Sequence, residues 1–315
     1  MNAREELVER LALTRRAALG GMSDAAYEEL RLAVREAPES FIDTPANQAF
    51  SMVCSAIERF EKDCEDNDLL DDDEYYRART KRHARMASDC DQILEVDPGC
   101  TDARLLRILA LKDNPDVLLG MLLDLEEPVE SEGDAWDDIL LRPQLRIRAA
   151  AVRACMDTAR YRMAIEKARA CIDLAPSDAL GCRHSAALAY ARLEDEAGFE
   201  ELDARFDHKS SAWSLLARAI LNFKLGRMGA ARRSLAGFSS LVEGGAYALL
   251  RPILVDTYMP DRPAVAPCCY EEALFAVHEA DPIIVDVPDF ASWAESQPAV
   301  RAAAQDYADK YGYDW

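Results

Sequence analysis

Apolar positions along this chain recur at three- and four-residue spacing over most of its length. The pattern breaks at short runs of Gly, Pro, Asp and Asn. That spacing gathers apolar side chains on one face of a helix, so the chain reads as helical hairpins and not as strands. Between residues 146 and 241 the hairpins repeat. A step of 33 residues carries Ala164 to Ala197 and Ala230, and Cys171 to Ala204 and Gly237. In the preceding helices the same step links Ile147, Leu180 and Trp213, and then Ala154, Ala187 and Ile220. Small residues seven apart sit on one helical face, two turns on, and admit a second helix closely. The six small positions are therefore expected to face a neighbouring helix and to set the repeat.

Residues 3–36 predict a further hairpin. Leu7, Leu11 and Ala18 share a face, Gly20-Gly21 breaks the helix, and Ser23 or Asp24 can cap the next. Ala26, Ala33 and Pro38 repeat the spacing of Ala164, Cys171 and Pro176. Helices are expected over 47–62 and 75–96, and a short hairpin over 101–112 and 116–125 around Asn114-Pro115. The predicted organisation has a divergent helical region at 1–125, an acidic insertion loop at 126–141 and three core hairpins at 142–243. A C-terminal cap then spans 244–315. There Pro252, Pro260, Pro263 and Pro267 predict a non-helical connector. Helix resumes over 271–279, at a short turn around Phe290 to Trp293, and from Pro298 to about 310, with a frayed YGYDW end. Ile283-Ile284-Val285-Asp286-Val287 comes nearest to a strand, and periodicity alone does not settle it.

Composition narrows the function classes. The formal net charge is −21, which disfavours a nucleic-acid backbone or an anionic membrane surface as partner. No run of apolar residues approaches the length of a membrane span, and the charged start MNAREELVER lacks a signal peptide's apolar core. The nine cysteines form no CxxC pair and several fall on apolar faces, so they read as reduced thiols in a cytoplasmic protein.

Candidate chemistry is sparse. His83, His184, His208 and His278 lie far apart with no metal-ligand spacing, and no metal or cofactor is expected. The acidic run DNDLLDDDE lacks the Gly and terminal Glu of a calcium loop and reads as a solvated connection. Cys268 and Cys269 precede a helix start, which can activate a thiol, but a buried pair of inert thiols is the simpler reading. The arginines are more suggestive. Arg142, Arg146, Arg148, Arg153, Arg160, Arg162 and Arg169 cluster with Lys167 in an otherwise acidic chain. Trp136 is expected to pin the acidic loop.

Hairpins with a period near 34 and paired small residues are the signature of the tetratricopeptide repeat. Residues 89–296 also resemble a family of large tetratricopeptide proteins, which includes the suppressor-of-tumorigenicity proteins of animals and bacterial proteins of unknown role. The likeness is carried by the hairpin Ile93-Leu94-Glu95-Val96-Asp97-Pro98-Gly99-Cys100-Thr101-Asp102-Ala103 and the entry Arg142-Pro143-Gln144-Leu145-Arg146-Ile147-Arg148-Ala149. A third part is the tail, with its proline-rich loop, Tyr270-Glu271-Glu272-Ala273-Leu274 and Trp293. The tail departs from the family where Tyr247-Ala248-Leu249-Leu250 and Val287-Pro288-Asp289 stand. The resemblance implies structure and no catalytic residues.

The expected fold is an all-α, right-handed superhelical solenoid with an irregular C-terminal cap. In such a stack the first helix of each hairpin lines a concave groove. Arg146 and Arg153, seven apart, would look into it beside Tyr190 and Asn222. The expected function is a non-catalytic scaffold binding a peptide or protein segment, with acidic groups or a free C-terminus. A self-associating structural protein, or a thiol enzyme at Cys268 or Cys269, are the alternatives. The competing reading of the arginines is that they offset the acidic loop.

Overall fold

A computed structural model describes residues 3–65, 72–111 and 113–315. Most of the run DNDLLDDDE, read above as a solvated connection, lies outside the described residues. Among the described residues every regular element is a helix, and none is long and apolar enough to cross a membrane. The chain divides into two compact units. The first is Met1–Ala150 with Asp256–Pro263, and the second is Ala151–Val255 with Ala264–Trp315.

Unit 1 contains α1 (Ala3–Leu19), α2 (Asp24–Glu36), a 3-10 turn (Pro38–Phe41), α3 (Pro45–Glu65), α4 (Asp72–Val96), α5 (Thr101–Ala110) and α6 (Pro115–Leu125). It also holds the start of α7 (Arg142–Asp157). Side chains start three of these helices, with Thr44 accepting from the Asn47 amide before α3. Ser23 accepts from the Ala26 amide, and Asn114 accepts from Asp116 with Pro115 at the first helical position. The core joins Leu7, Leu11, Phe50, Ile57, Met86 and Leu106, and Met259 of the returning segment belongs to it. The α1–α2 hairpin forms as expected, with a different register. Val34 is buried and Ala33 exposed, Ala26 is half-buried, and Ala18 is exposed while Leu7, Val8, Leu11 and Ala12 are covered.

Unit 2 contains α8 (Tyr161–Leu174), α9 (Cys182–Leu193), α10 (Glu196–Arg205), α11 (Ala212–Lys224), α12 (Met228–Leu241), α13 (Gly245–Leu250), α14 (Tyr270–Val285), α15 (Pro288–Glu295) and α16 (Pro298–Tyr311). Consecutive helices pack as α8–α9, α9–α10 and α11–α12, and α9 packs on α11. Ion pairs tie each hairpin to the next. Arg205 donates to Asp173 at 2.7 Å and Arg227 to Glu196 at 3.0 Å, pairs separated by 32 and 31 residues.

The expected 33-residue register holds in part: Ile147, Leu180 and Trp213 are all buried, with Leu180 in the turn before α9, and Ala187 and Ile220 are buried while Ala154 is half-buried. In the second helix it slips. Ala164 and Cys171 are buried, but Ala197 and Ala204 are exposed and Ala230 is half-buried. A Cβ on Gly237 would meet nothing within 4 Å. The close-packed small residues are Ala164, Gly198 and Ala231. A Cβ on Gly198 would come within 2.3 Å of the Tyr190 ring, and Ala231 is fully covered. The packed position in the second and third hairpins is therefore one residue later than the repeat predicts, and one residue turns a helix by about 100°.

Beyond α13 the chain is non-helical over 251–269, as its prolines predict. The apolar run 283–285 is helical, because α14 continues through Pro282. The C-terminus docks instead of fraying. Tyr313 stacks on Tyr247 at 5.6 Å, the Tyr247 hydroxyl donates to the Asp314 carbonyl, and Arg251 lies over the Trp315 ring.

Candidate functional site

Glu6 in α1 occupies a position on the apolar face, between Ala3 and Arg10, and is buried. A carboxylate there must be paired to be tolerated. Arg146, near the start of α7, supplies the pair. Its two terminal nitrogens donate to the two Glu6 oxygens at 2.9 and 2.7 Å, and its Nε donates to Asp261 at 3.1 Å. Arg10 donates to Glu6 at 2.7 Å and to Asp102 at 2.8 Å, with its guanidinium 3.6 Å from the Phe50 ring centroid. Asp102 stands in the first turn of α5, where a helix dipole favours negative charge. Burial alone would raise the Glu6 pKa. The hydrogen bonds and charge of Arg146, with Arg10 beside it, outweigh burial and hold it down to about 2.

A second cluster fixes the other end of the returning segment. Asp256 accepts from Arg79 at 2.8 Å, from Arg82, and meets His83 Nε2 at 2.7 Å. Arg82 and His83 are buried, so α4 turns two of its basic residues inward. Burial works against ionising Asp256, but His83, Arg82 and Arg79 together leave its carboxyl well below the usual range.

Above the Arg146 cluster opens a cavity of about 300 Å³, lined by α1, α2, the 126–141 loop and α7. Arg146 and Glu6 belong to its lining. Its walls include Trp136, Ile139, Arg142, Arg31 and Arg35. Trp136 anchors the loop: its carbonyl accepts from Arg142 Nε at 2.9 Å, and the guanidinium lies 4.7 Å from the ring centroid. Glu9 accepts from Arg31 at 2.7 Å. Arg35 is exposed and forms no ion pair with a described residue.

The expected arginine-lined groove is not what these positions form. Arg146 is 1 % exposed and fully engaged by acids of unit 1, so it cannot present an open guanidinium. Tyr190 is buried against Gly198. Asn222 donates to Ser234 at 3.2 Å inside the α11–α12 hairpin, and Arg153 is half-buried in unit 2. Of the arginines expected to offset the acidic loop, Arg148 lies 3.8 Å from the Glu126 carboxylate and donates to the Glu127 carbonyl at 2.7 Å. The partners of Arg146 lie elsewhere, on α1, α5 and the returning segment. Their only sequence signal is Glu6 and Arg10, two charges at helical spacing on an apolar face.

In unit 2 the helices α9, α11 and α13 each pack against α14. Ala273, Ala276, Val277, Ala280 and Ile283 form the covered stripe of α14. Glu272, also buried, accepts from the Ala212 amide at 3.1 Å and from the Cys268 amide at 2.7 Å, capping α11 from outside. Phe223 of α11 meets Phe290 and Trp293 of α15.

Cys268 and Cys269 are both half-buried at the start of α14. Burial pushes the Cys268 thiol up, with Glu272 adding to it, and burial also raises Cys269. Cys54 beside the charge cluster is pushed up to about 12 by burial. Among the described residues no group of His, Cys, Asp or Glu is placed to hold a metal ion. No protein-family model, curated protein or solved structure matches the chain.

Proposed function

We propose that this chain is a non-catalytic interaction scaffold, built on tetratricopeptide-like hairpins, which holds a peptide or protein segment on the layer formed by α9, α11 and α13. The observation that carries the reading is α14. One helix of the chain itself packs against α9, α11 and α13, with its small-residue stripe covered and Glu272 capping the start of α11. A surface shaped to take a helix in cis is a surface suited to an amphipathic segment in trans. The ion pairs between hairpins at near-constant separation, and Ala164, Gly198 and Ala231 in the second helices, support the repeat. The partner segment then competes with α14 for one face.

The test is competition. A protein captured from native lysate on the full chain should be displaced by a synthetic peptide of residues 268–287. Glu272→Gln, which weakens the α14 cap, should raise capture. Capture that neither the peptide nor the variant changes would remove this face as the binding surface.

A further inference from the structure

The cavity of unit 1 has no part in the scaffold reading, which rests on unit 2 alone. We propose that it is a binding site for a carboxylate carried on a short apolar body. At about 300 Å³ it lies at the lower end of the range for small-ligand sites. Its lining holds four arginines and three glutamates. Two of the arginines are already engaged, Arg146 by Glu6 and Arg31 by Glu9. Arg35 pairs with no acid among the described residues, and Arg142 is held at the wall by the Trp136 carbonyl, 3.7 Å from Glu6. An incoming carboxylate meets these two guanidiniums, which bind planar oxygen pairs well. Beside them Trp136, half-buried, and Ile139 offer an apolar wall. The rigid floor matters as much. Arg146 and Glu6 are locked by bonds of 2.7 and 2.9 Å, so the wall residues are set before a ligand arrives.

The terminus of a peptide and a small free acid share this chemistry. Three probes separate them: N-acetyl-leucine, its amide, and an acetylated Ala-Ala-Leu tripeptide with a free carboxylate. Binding is followed on the full chain by calorimetry and by the Trp136 indole proton resonance, assigned with Trp136→Phe. Both acids are expected to shift that resonance while the amide does not, and Arg35→Gln is expected to weaken them roughly tenfold. Arg35 is exposed and pairs with no described acid, so the variant should melt as the parent does. Tighter binding of the tripeptide identifies a chain terminus as the natural ligand, and tighter binding of N-acetyl-leucine identifies a small acid. No shift with either acid, an equal shift with the amide, or affinity untouched by Arg35→Gln would overturn the proposal.

Discussion

The two units bury different things. Unit 1 encloses charge: Glu6, Arg146, Asp102 and Arg82 are all buried, and so is the His83 imidazole. Unit 2 encloses mostly small and aromatic apolar residues, with Ala164, Ala231, Phe199 and Phe238 covered and Glu272 among its few buried polar groups. The contrast teaches how each tolerates change. Trimming an apolar side chain in unit 2 leaves a space, which neighbours partly fill. Removing one partner from the charge cluster of unit 1 leaves an unpaired ion in a medium that cannot solvate it.

The largest effect should follow from Arg146→Ala. It strands Glu6 and Asp261 and should destabilise the chain by about 3–5 kcal/mol in denaturant unfolding. A loss below about 1 kcal/mol would mean that water reaches the cluster. Acid should act on the same residues. The Glu6 pKa is about 2 in the fold against 4.5 for a solvated glutamate. Its contribution of about 3 kcal/mol is complete above pH about 4.5 and vanishes as pH falls through about 2. Asp256, also lowered, works in the same direction. Glu6→Gln should flatten part of that acid dependence, and an unchanged pH profile would contradict the pairing.

Unit 2 should respond to shape. Gly198→Val drives a side chain into the Tyr190 ring and should cost about 1–3 kcal/mol in a thermal melt. At the neighbouring position Ala197→Leu should change stability by no more than about 0.5 kcal/mol, since Ala197 is exposed. Equal effects at the two sites would contradict the one-residue shift in register.

That pair of substitutions also marks what the amino-acid pattern could reveal. Helices are local, so caps such as Ser23 and Asn114-Pro115 and the proline stop after α13 announce themselves. The positions Ile147, Leu180 and Trp213 repeat because their large apolar side chains have one place to go. The second-helix positions misled, because alanine is common on both faces and a small residue does not say which face is covered. Gly198 makes the close approach, and a glycine in a helix is easily mistaken for a turn. Arg146 misled for a different reason. Its partners lie 140 and 115 residues away in the chain, and no local pattern reports such a meeting. The cavity inherits that difficulty, since it is lined by residues from both ends of unit 1.

The segment Asp256–Pro263 completes a unit whose other residues end at Ala150. On the ribosome, therefore, most of the first unit emerges long before Asp256, the acid that pairs with Arg82, and Asp261, which shares Arg146 with Glu6. Until Asp256 and Asp261 are translated those cations lack these counter-ions, and the unit's final closure must wait for most of the second to be made. A fragment cut at residue 150 would carry that deficit permanently.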